Sequence, residues 1–409
     1  MRPDLALWPE IIRQLKGCMT LLPIFDQNAS QTPNINTLPG LPVELLLSFT
    51  DFLPINDWVC LSLCNHRLFA IYNHRYKSMW PDREIKLTIL RQLQQDLPRH
   101  FICYQCYLLH LYDDSESFGL SGPKFWEGCP LRCRRLIRKH LFELELLTEF
   151  GYWNYYMPRR FSFLHLQLAM RRFYLGDEFG ITTESLAYTQ VRFHPSKGSW
   201  PGVTYLFSTD AKIRPEPPGL HVRAQWVIFS DFGEPELLLE REGWDYDTYP
   251  RNSMYICKHV PNRQKQEELD AMVKAFFQGK HPSHSKHTCE RCNTDYQIEL
   301  CDHVDQVALV LTTWFNLGPG LTPDDPRWRV RDSTSEDMTL NPSDCKESPR
   351  AFFETNSPQP VEKLLSTNLC YLQNQRYRKV MRDLSTHDHY KSLWCLPSLP
   401  SDSQWEFHC

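Results

Sequence analysis

Two short motifs carry the residue types and spacing of a tetrahedral metal site. Cys257-x-His259 offers a thiolate and an imidazole, and Cys289-x2-Cys292 offers two thiolates that one tight turn can aim at a common point. Together they make a Cys3His set, and "CERCNTDYQI" runs from the turn into a strand as zinc ribbons do. Cys301 and His303 compete as ligands, and alternation along a strand leaves their placement open. The competing reading of the whole group is reduced structural thiols beside a loop. A second set is Cys103-x2-Cys106 with Cys129-x3-Cys133, with His110 as an alternate. It would anchor an irregular segment, although Pro130 lies inside the second pair and Cys133 opens a basic helix. Full thiolate and imidazole ligation leaves no open coordination position, so the expected cofactor is structural zinc, not a catalytic ion.

Other reactive constellations are missing from the sequence. There is no GxGxxG, no P-loop, no GxSxG and no HExxH. Asp324 and Asp325 are adjacent in "FNLGPGLTPDDPRW", where Gly-Pro-Gly and Pro-Asp-Asp-Pro are turn chemistry first. His165, on an apolar helical stretch, reads as a core histidine. The chain is not expected to be an enzyme.

The elements that must position these residues follow from periodicity. Residues 1–37 read as an extension and linker, and 38–80 as apolar and helical. Residues 81–328 read as a mixed body. "EIKLTILRQLQQDL" and "FSFLHLQLAMRRFYLG" space apolar residues as helices do, the second with Gly176 as a stop. "GVTYLFSTDAKI" and "HVRAQWVIFSD" alternate as strands around "RPEPPG", and "DYQIELCDHV" with "QVALVLTTWFNLG" makes a second pair. A helix over 262–278 joins the two halves of the Cys3His set. Residues 329–360, rich in Ser, Asp, Pro and Thr, read as a disordered linker, and 361–409 as a C-terminal helix and tail. The fold class is α+β.

The segment "LPGLPVELLLSFTDFL" carries more apolar surface than a short helix can bury in its own small unit. Pro42 suits a first helical position, and Glu44 sits well near the helix N-terminus. Pro54 ends the helix, and Asn56 or Asp57 is expected to cap the next, "DWVCLSLCNHRLF". A unit this small usually needs a staple or a partner. The apolar excess is therefore expected to be an interface.

Leu41-Pro42, Glu44-Leu45-Leu46, Phe49, Phe52-Leu53-Pro54, Asp57 and "CLSLCNHRLF" resemble the F-box pattern over residues 41–69. Phe49 stands where that family usually has Ile or Val, and Leu68 near a common aromatic. The resemblance implies that Leu41, Pro42, Leu45, Leu46, Phe49, Leu53 and Leu61 face a Skp-type adaptor. Through it the chain would reach a cullin, as substrate receptor of an SCF-type ubiquitin ligase with an unknown protein client. An adaptor-binding scaffold acting outside a ligase is the alternative. "FICYQCYLLH", "YICKHV", "CERCNTDYQIEL" and "TTWFNLGPGLTPDDPRW" further resemble a set of filamentous-fungal F-box proteins, a likeness that implies no substrate.

Composition narrows the partners. The 409 residues are 42% hydrophobic and 23% charged, with a formal net charge of −4, so no polyanion or nucleic-acid partner is expected. The basic run "RCRRLIRKH" reads as a solvated helix face. The first residues lack the unbroken apolar core of a signal peptide, and no stretch is long enough to span a membrane. The 15 cysteines then read as thiols or metal ligands, and the expected location is cytoplasmic or nuclear.

Overall fold

Prolines set the boundaries of the first helices. In the computed structural model, α1 (Val43–Phe49) and α2 (Ile55–Leu63) begin directly after Pro42 and Pro54, with no side-chain cap at either start. Asn56 and Asp57 therefore lie inside α2 and do not cap it: extended Pro54 already marks the boundary. The second helix also divides where the sequence suggested continuity. α3 (His66–Tyr76) starts afresh after Asn65, whose side-chain oxygen accepts from the Arg67 N–H at 2.8 Å.

The described residues are 38–76, 83–104, 107–112, 143–144, 161–194, 203–230, 256–257, 259–260, 267–268, 271–272, 275, 278, 285–303, 306–331, 338–341, 347–355 and 394–396. The expected extension over 1–37 lies outside them, as does the expected C-terminal helix and tail over 361–409 apart from residues 394–396. The chain forms two compact units that part after Tyr112.

The first unit is larger than the 38–80 segment read from sequence. α4 (Arg83–Leu93) is amphipathic in two directions. Ile89 joins the core of Leu46, Trp58, Val59, Leu68 and Tyr72, while Leu87 and Leu90 pack with Leu97, Ile102 and Leu109. The last two lie in a hairpin of β1 (His100–Cys103) and β2 (Leu108–Leu111). Gln92 of α4 also bonds to Cys60 and Asp57 of α2, each at 3.3 Å. A boundary at residue 80 would expose Ile89 and strip the core of α1–α3, so the unit continues to Tyr112.

The second unit is built on an antiparallel sheet, which makes the protein α+β. A short ladder of β3 (Glu143–Leu144) and β4 (Phe161–Ser162) precedes α5 (Phe163–Leu175), and Gly176 closes that helix with φ +106. The sheet comprises β5 (Tyr188–His194), β6 (Val203–Arg214), β7 (Gly219–Ser230), β8 (Ser285–Cys289), β9 (Thr294–His303), β10 (Gln306–Asn316) and β11 (Trp394–Leu396). Its order is β11-β5-β6-β7-β10-β9-β8. The strands read from alternation are all there, joined β6–β7 and β9–β10 as hairpins. His165 is half-buried in α5, not a core residue.

One face of this sheet is buried and polar. Directly opposed residues share a face, so the pairs Asp210–Arg223, Arg223–Trp314, Trp314–Asp295, Gln225–Thr312 and Thr312–Gln297 line one side. Arg223 is fully buried and meets Asp210 at 3.2 Å, and Gln225 donates to the Thr312 hydroxyl at 3.0 Å. Over part of this face lies a helix in the segment 329–360, expected as disordered. α7 (Pro349–Thr355) sets Phe353 against Trp314 and the Arg223 guanidinium. Asp295 fixes its start by accepting from the Ser348 hydroxyl at 2.6 Å and the Arg350 N–H at 2.9 Å. The polar composition that suggested disorder supplies the cap and the apolar pair that dock the helix.

His221 lies beside α7, its ring 4.3 Å from that of Phe352, with both nitrogens buried and unbonded. Burial, reinforced by Arg214, Arg331 and Arg327, lowers its pKa from 6.5 to about 3. The unfolded chain takes up a proton near pH 6.5 that the folded chain refuses until about pH 3. This contribution to stability is complete above pH 6.5 and lost as pH falls through that window. Denaturant titrations should show roughly 1–2 kcal/mol lost at His221 between about pH 7 and about pH 5, a loss absent from His221→Phe.

Candidate functional site

The β8–β9 turn places two of the four candidate ligands. Cys289 ends β8 opposite Thr294, the first residue of β9, so Glu290–Asn293 form the loop. Asn293 adopts φ +49, a left-handed conformation that Asn tolerates, and its N–H donates back to the Cys289 carbonyl at 2.8 Å. This tight return buries both Cys289 and Cys292.

Cys257 and His259 arrive from an irregular segment and join the same cluster. One ligand atom from each of Cys257, His259, Cys289 and Cys292 lies within 4.8 Å of all the others. Metal–sulfur bonds of about 2.3 Å in a tetrahedron put ligands about 3.8 Å apart, so a contraction of about 1 Å at most would close the site. Between the two pairs, residues 267, 268, 271, 272 and 275 are helical, consistent with the crossover read from sequence. Cys301 and His303 are excluded as ligands. They lie seven or more residues along β9 from Thr294, roughly 20 Å away at strand rise.

The donor chemistry fits an ion. Both ring nitrogens of His259 are buried and make no hydrogen bond of acceptable geometry, an expensive condition for an imidazole that ligates nothing. Burial works against charge on His259, but the sulfurs of Cys289 and Cys292 outweigh it and raise the imidazole pKa to about 9. Cys257 and Cys289 hold the Cys292 thiol well below its ordinary range, while Cys289 and Cys292 push Cys257 up. Cys257, His259 and Cys292 compete for protons at one point. A divalent cation would replace them.

A further shell was not legible in the sequence. Cys292 Sγ lies 3.1 Å from the Thr294 hydroxyl, and Arg331 donates to the Cys292 carbonyl at 2.6 Å and to Thr294 Oγ1 at 3.2 Å. Arg331 sits just beyond α6 (Pro326–Arg329), whose start Asp325 caps through the Arg327 N–H at 2.9 Å. The acidic pair thus splits into a helix cap, Asp325, and an exposed Asp324, bearing out turn chemistry. Gly318 has φ +86, and a Cβ there would meet Asp325 Oδ1 at 2.8 Å, so this approach to the helix cap needs glycine. In "DPRWRVRD" three arginines alternate with apolar residues, and only the packing distinguishes buried Arg331.

The second cysteine set is placed only at Cys103. It ends β1, and Tyr107, with φ +54, donates to its carbonyl at 2.8 Å, the same turn as at Cys289. Cys106, Cys129 and Cys133 lie outside the described residues. His110 is buried beside Phe101.

The residues expected to face a partner divide. Pro42, Leu45, Phe49 and Leu53 are exposed, and Leu41 and Leu61 are half-buried against the helical core. Leu46 is corrected. It is fully buried, and its carbonyl accepts from the Tyr72 hydroxyl at 2.6 Å, so it belongs to the core. Val43 at 40% and Phe52 at 85% exposure join the exposed set. Leu45 and Phe49 follow at helical i, i+4 spacing on α1 and Phe52 lies in the turn after it, apolar side chains that the described residues leave open. Arg67 pins the start of this segment by donating to the Pro39 carbonyl and, at 3.0 Å, to the Leu41 carbonyl.

No helix among the described residues is long and apolar enough to cross a membrane. Comparison with family models, with curated proteins and with solved structures finds no match.

Removing the shared ligands should remove the ion. Full-length Cys257→Ser/Cys292→Ser should retain one divalent ion fewer per chain than the native protein by elemental analysis after dialysis. Equal content would mean these thiols hold none.

Proposed function

We propose that this chain is an F-box-type substrate receptor: its first unit binds a Skp-type adaptor, and its second presents a protein client to an SCF-type cullin-RING ubiquitin ligase. The observation that carries this reading is the open apolar set of Leu45, Phe49 and Phe52 beside Pro42 and Leu53. An interior as filled as that around Leu46 and Tyr72 has no use for these side chains, and an exposed Phe52 is costly unless something covers it. Their placement on a pinned helical segment suits a rigid partner surface.

The second unit supplies binding and positioning, with no reaction of its own. Its Cys3His cluster is read as a structural zinc site, because four protein ligands complete tetrahedral coordination and leave no position for a substrate. Such an ion clamps the two ends of the crossover at the β8–β9 turn. Closing that loop costs a few kcal/mol of chain entropy, against about 10 kcal/mol or more for zinc binding in small peptides.

The test is co-purification. Pro42→Ala/Leu45→Asp removes the preset backbone start and puts a carboxylate into the proposed contact. Because both side chains are exposed, the double variant should fold as before by circular dichroism while losing adaptor capture by at least about tenfold, a cost of about 1.4 kcal/mol. Capture at the native level would overturn the reading. Adaptor recovered without cullin would instead favour a scaffold acting outside a ligase.

A further inference from the structure

Among the described residues, no carboxylate pairs with one buried cation of the second unit. Arg331 is 3% exposed. Its guanidinium donates to the carbonyls of Asn316 at 3.1 Å, Arg327 at 2.7 Å, Cys292 at 2.6 Å and Asn293 at 3.5 Å, and to the Thr294 hydroxyl at 3.2 Å. All of these acceptors are neutral. Phe315 contributes a ring face at 5.7 Å, and Nε has no partner. Moving a guanidinium out of water without an anion costs several kcal/mol, more than neutral acceptors ordinarily return. Arg223, buried on β7, has its carboxylate in Asp210.

The cysteine cluster is a source of negative charge beside it. Arg331 grips the β9 end of the turn that carries Cys292, through the Cys292 carbonyl and the Thr294 hydroxyl. That hydroxyl lies 3.1 Å from Cys292 Sγ. Three thiolates, one neutral imidazole and a divalent ion sum to one negative charge. One guanidinium cancels it. A trivalent ion would neutralise the thiolates by itself and leave Arg331 as isolated as before.

We propose that Arg331 is the buried counter-ion and positioning residue of a Cys257–His259–Cys289–Cys292 centre built for a divalent cation, acting on Cys292 through its carbonyl and the Thr294 hydroxyl. It touches no ligand sulfur directly. It sets the charge that the centre carries and fixes the turn that presents Cys292. This rests on the metal reading above and deepens it, by assigning the ion's charge class and the residue that balances it.

The experiment uses full-length protein loaded with Zn2+ or Co2+, in native form and as Arg331→Gln, Arg331→Lys and Thr294→Val. Zn2+ affinity is measured by chelator competition, and the sulfur-to-cobalt charge-transfer band by absorption. Arg331→Gln should weaken Zn2+ binding by about 10–100-fold, the range for outer-shell partners. It should also move the charge-transfer band to longer wavelength, since thiolates lose electrons more easily once the nearby cation is gone. Arg331→Lys should recover most of both, which a purely steric role would not allow. Thr294→Val, which deletes only the hydroxyl, should show a smaller shift in the same direction, and it decides the matter if Arg331→Gln does not fold. Affinity and band unchanged in Arg331→Gln, or equal losses in Arg331→Gln and Arg331→Lys, would overturn the counter-ion role while leaving the metal site standing. A native protein that takes up no Zn2+ at these residues would overturn both.

Discussion

The demand that buried polar groups find partners organises the second unit. Its sheet has one face lined by Arg223, Gln225, Thr312, Gln297 and Asp295, a composition ordinarily left to solvent. Once that face is covered, bonding and charge-matching its groups is favoured, because an unpaired polar group in the interior costs more than a made hydrogen bond returns. Asp295 shows the consequence most directly. It receives the Thr288 hydroxyl at 2.5 Å from β8, and the Ser348 hydroxyl and Arg350 N–H from the start of α7. One carboxylate thereby ties the edge hairpin to the helix that covers the sheet. The turn at Cys289–Asn293 lies at the end of the same hairpin, so the metal cluster and the polar core are held by one continuous set of bonds.

The first unit follows the opposite rule. Its helices carry more apolar surface than their own core takes up. Leu46, Trp58, Val59, Leu68, Tyr72 and Ile89 fill the interior, while Leu45, Phe49 and Phe52 point away from it. The energetics of the two units therefore differ in kind. One is held together largely through specific bonds, and the other holds unspent apolar area. Burying side chains of this size yields about 1.5–3 kcal/mol each, which makes the set a strong contact once a complementary surface meets it.

Legibility followed the range of the interactions involved. Strands β6, β7, β9 and β10 were readable because alternation is local and each run is broken by turn residues. The Cys289-x2-Cys292 turn was readable for the same reason, since its conformation needs only four residues and a tolerant Asn293. The division between α2 and α3 was missed, although Asn65 is a good capping residue, because apolar spacing continues across the break. α7 was missed because Ser348 and Pro349, its starting signals, sit in a segment whose overall composition suggests disorder. Leu46 was assigned to the partner face because a pattern of apolar residues does not say which of two adjacent leucines turns inward. Arg331 had no local signal at all. Its role depends on Cys292, thirty-nine residues earlier, and on the end of β10.

That last case has a general physical basis. A charged residue in sequence carries a strong prior for the surface, and the prior fails where a fold concentrates opposite charge inside. Here the concentration would come from three sulfurs brought within 4.8 Å of each other and of an imidazole. Such a cluster makes a buried guanidinium affordable, and the guanidinium in turn stabilises thiolate at Cys292. The four clustered side chains are thus linked through Cys292 and Thr294 to Arg331, at the point where the segment from residue 257 meets the β8–β9 turn.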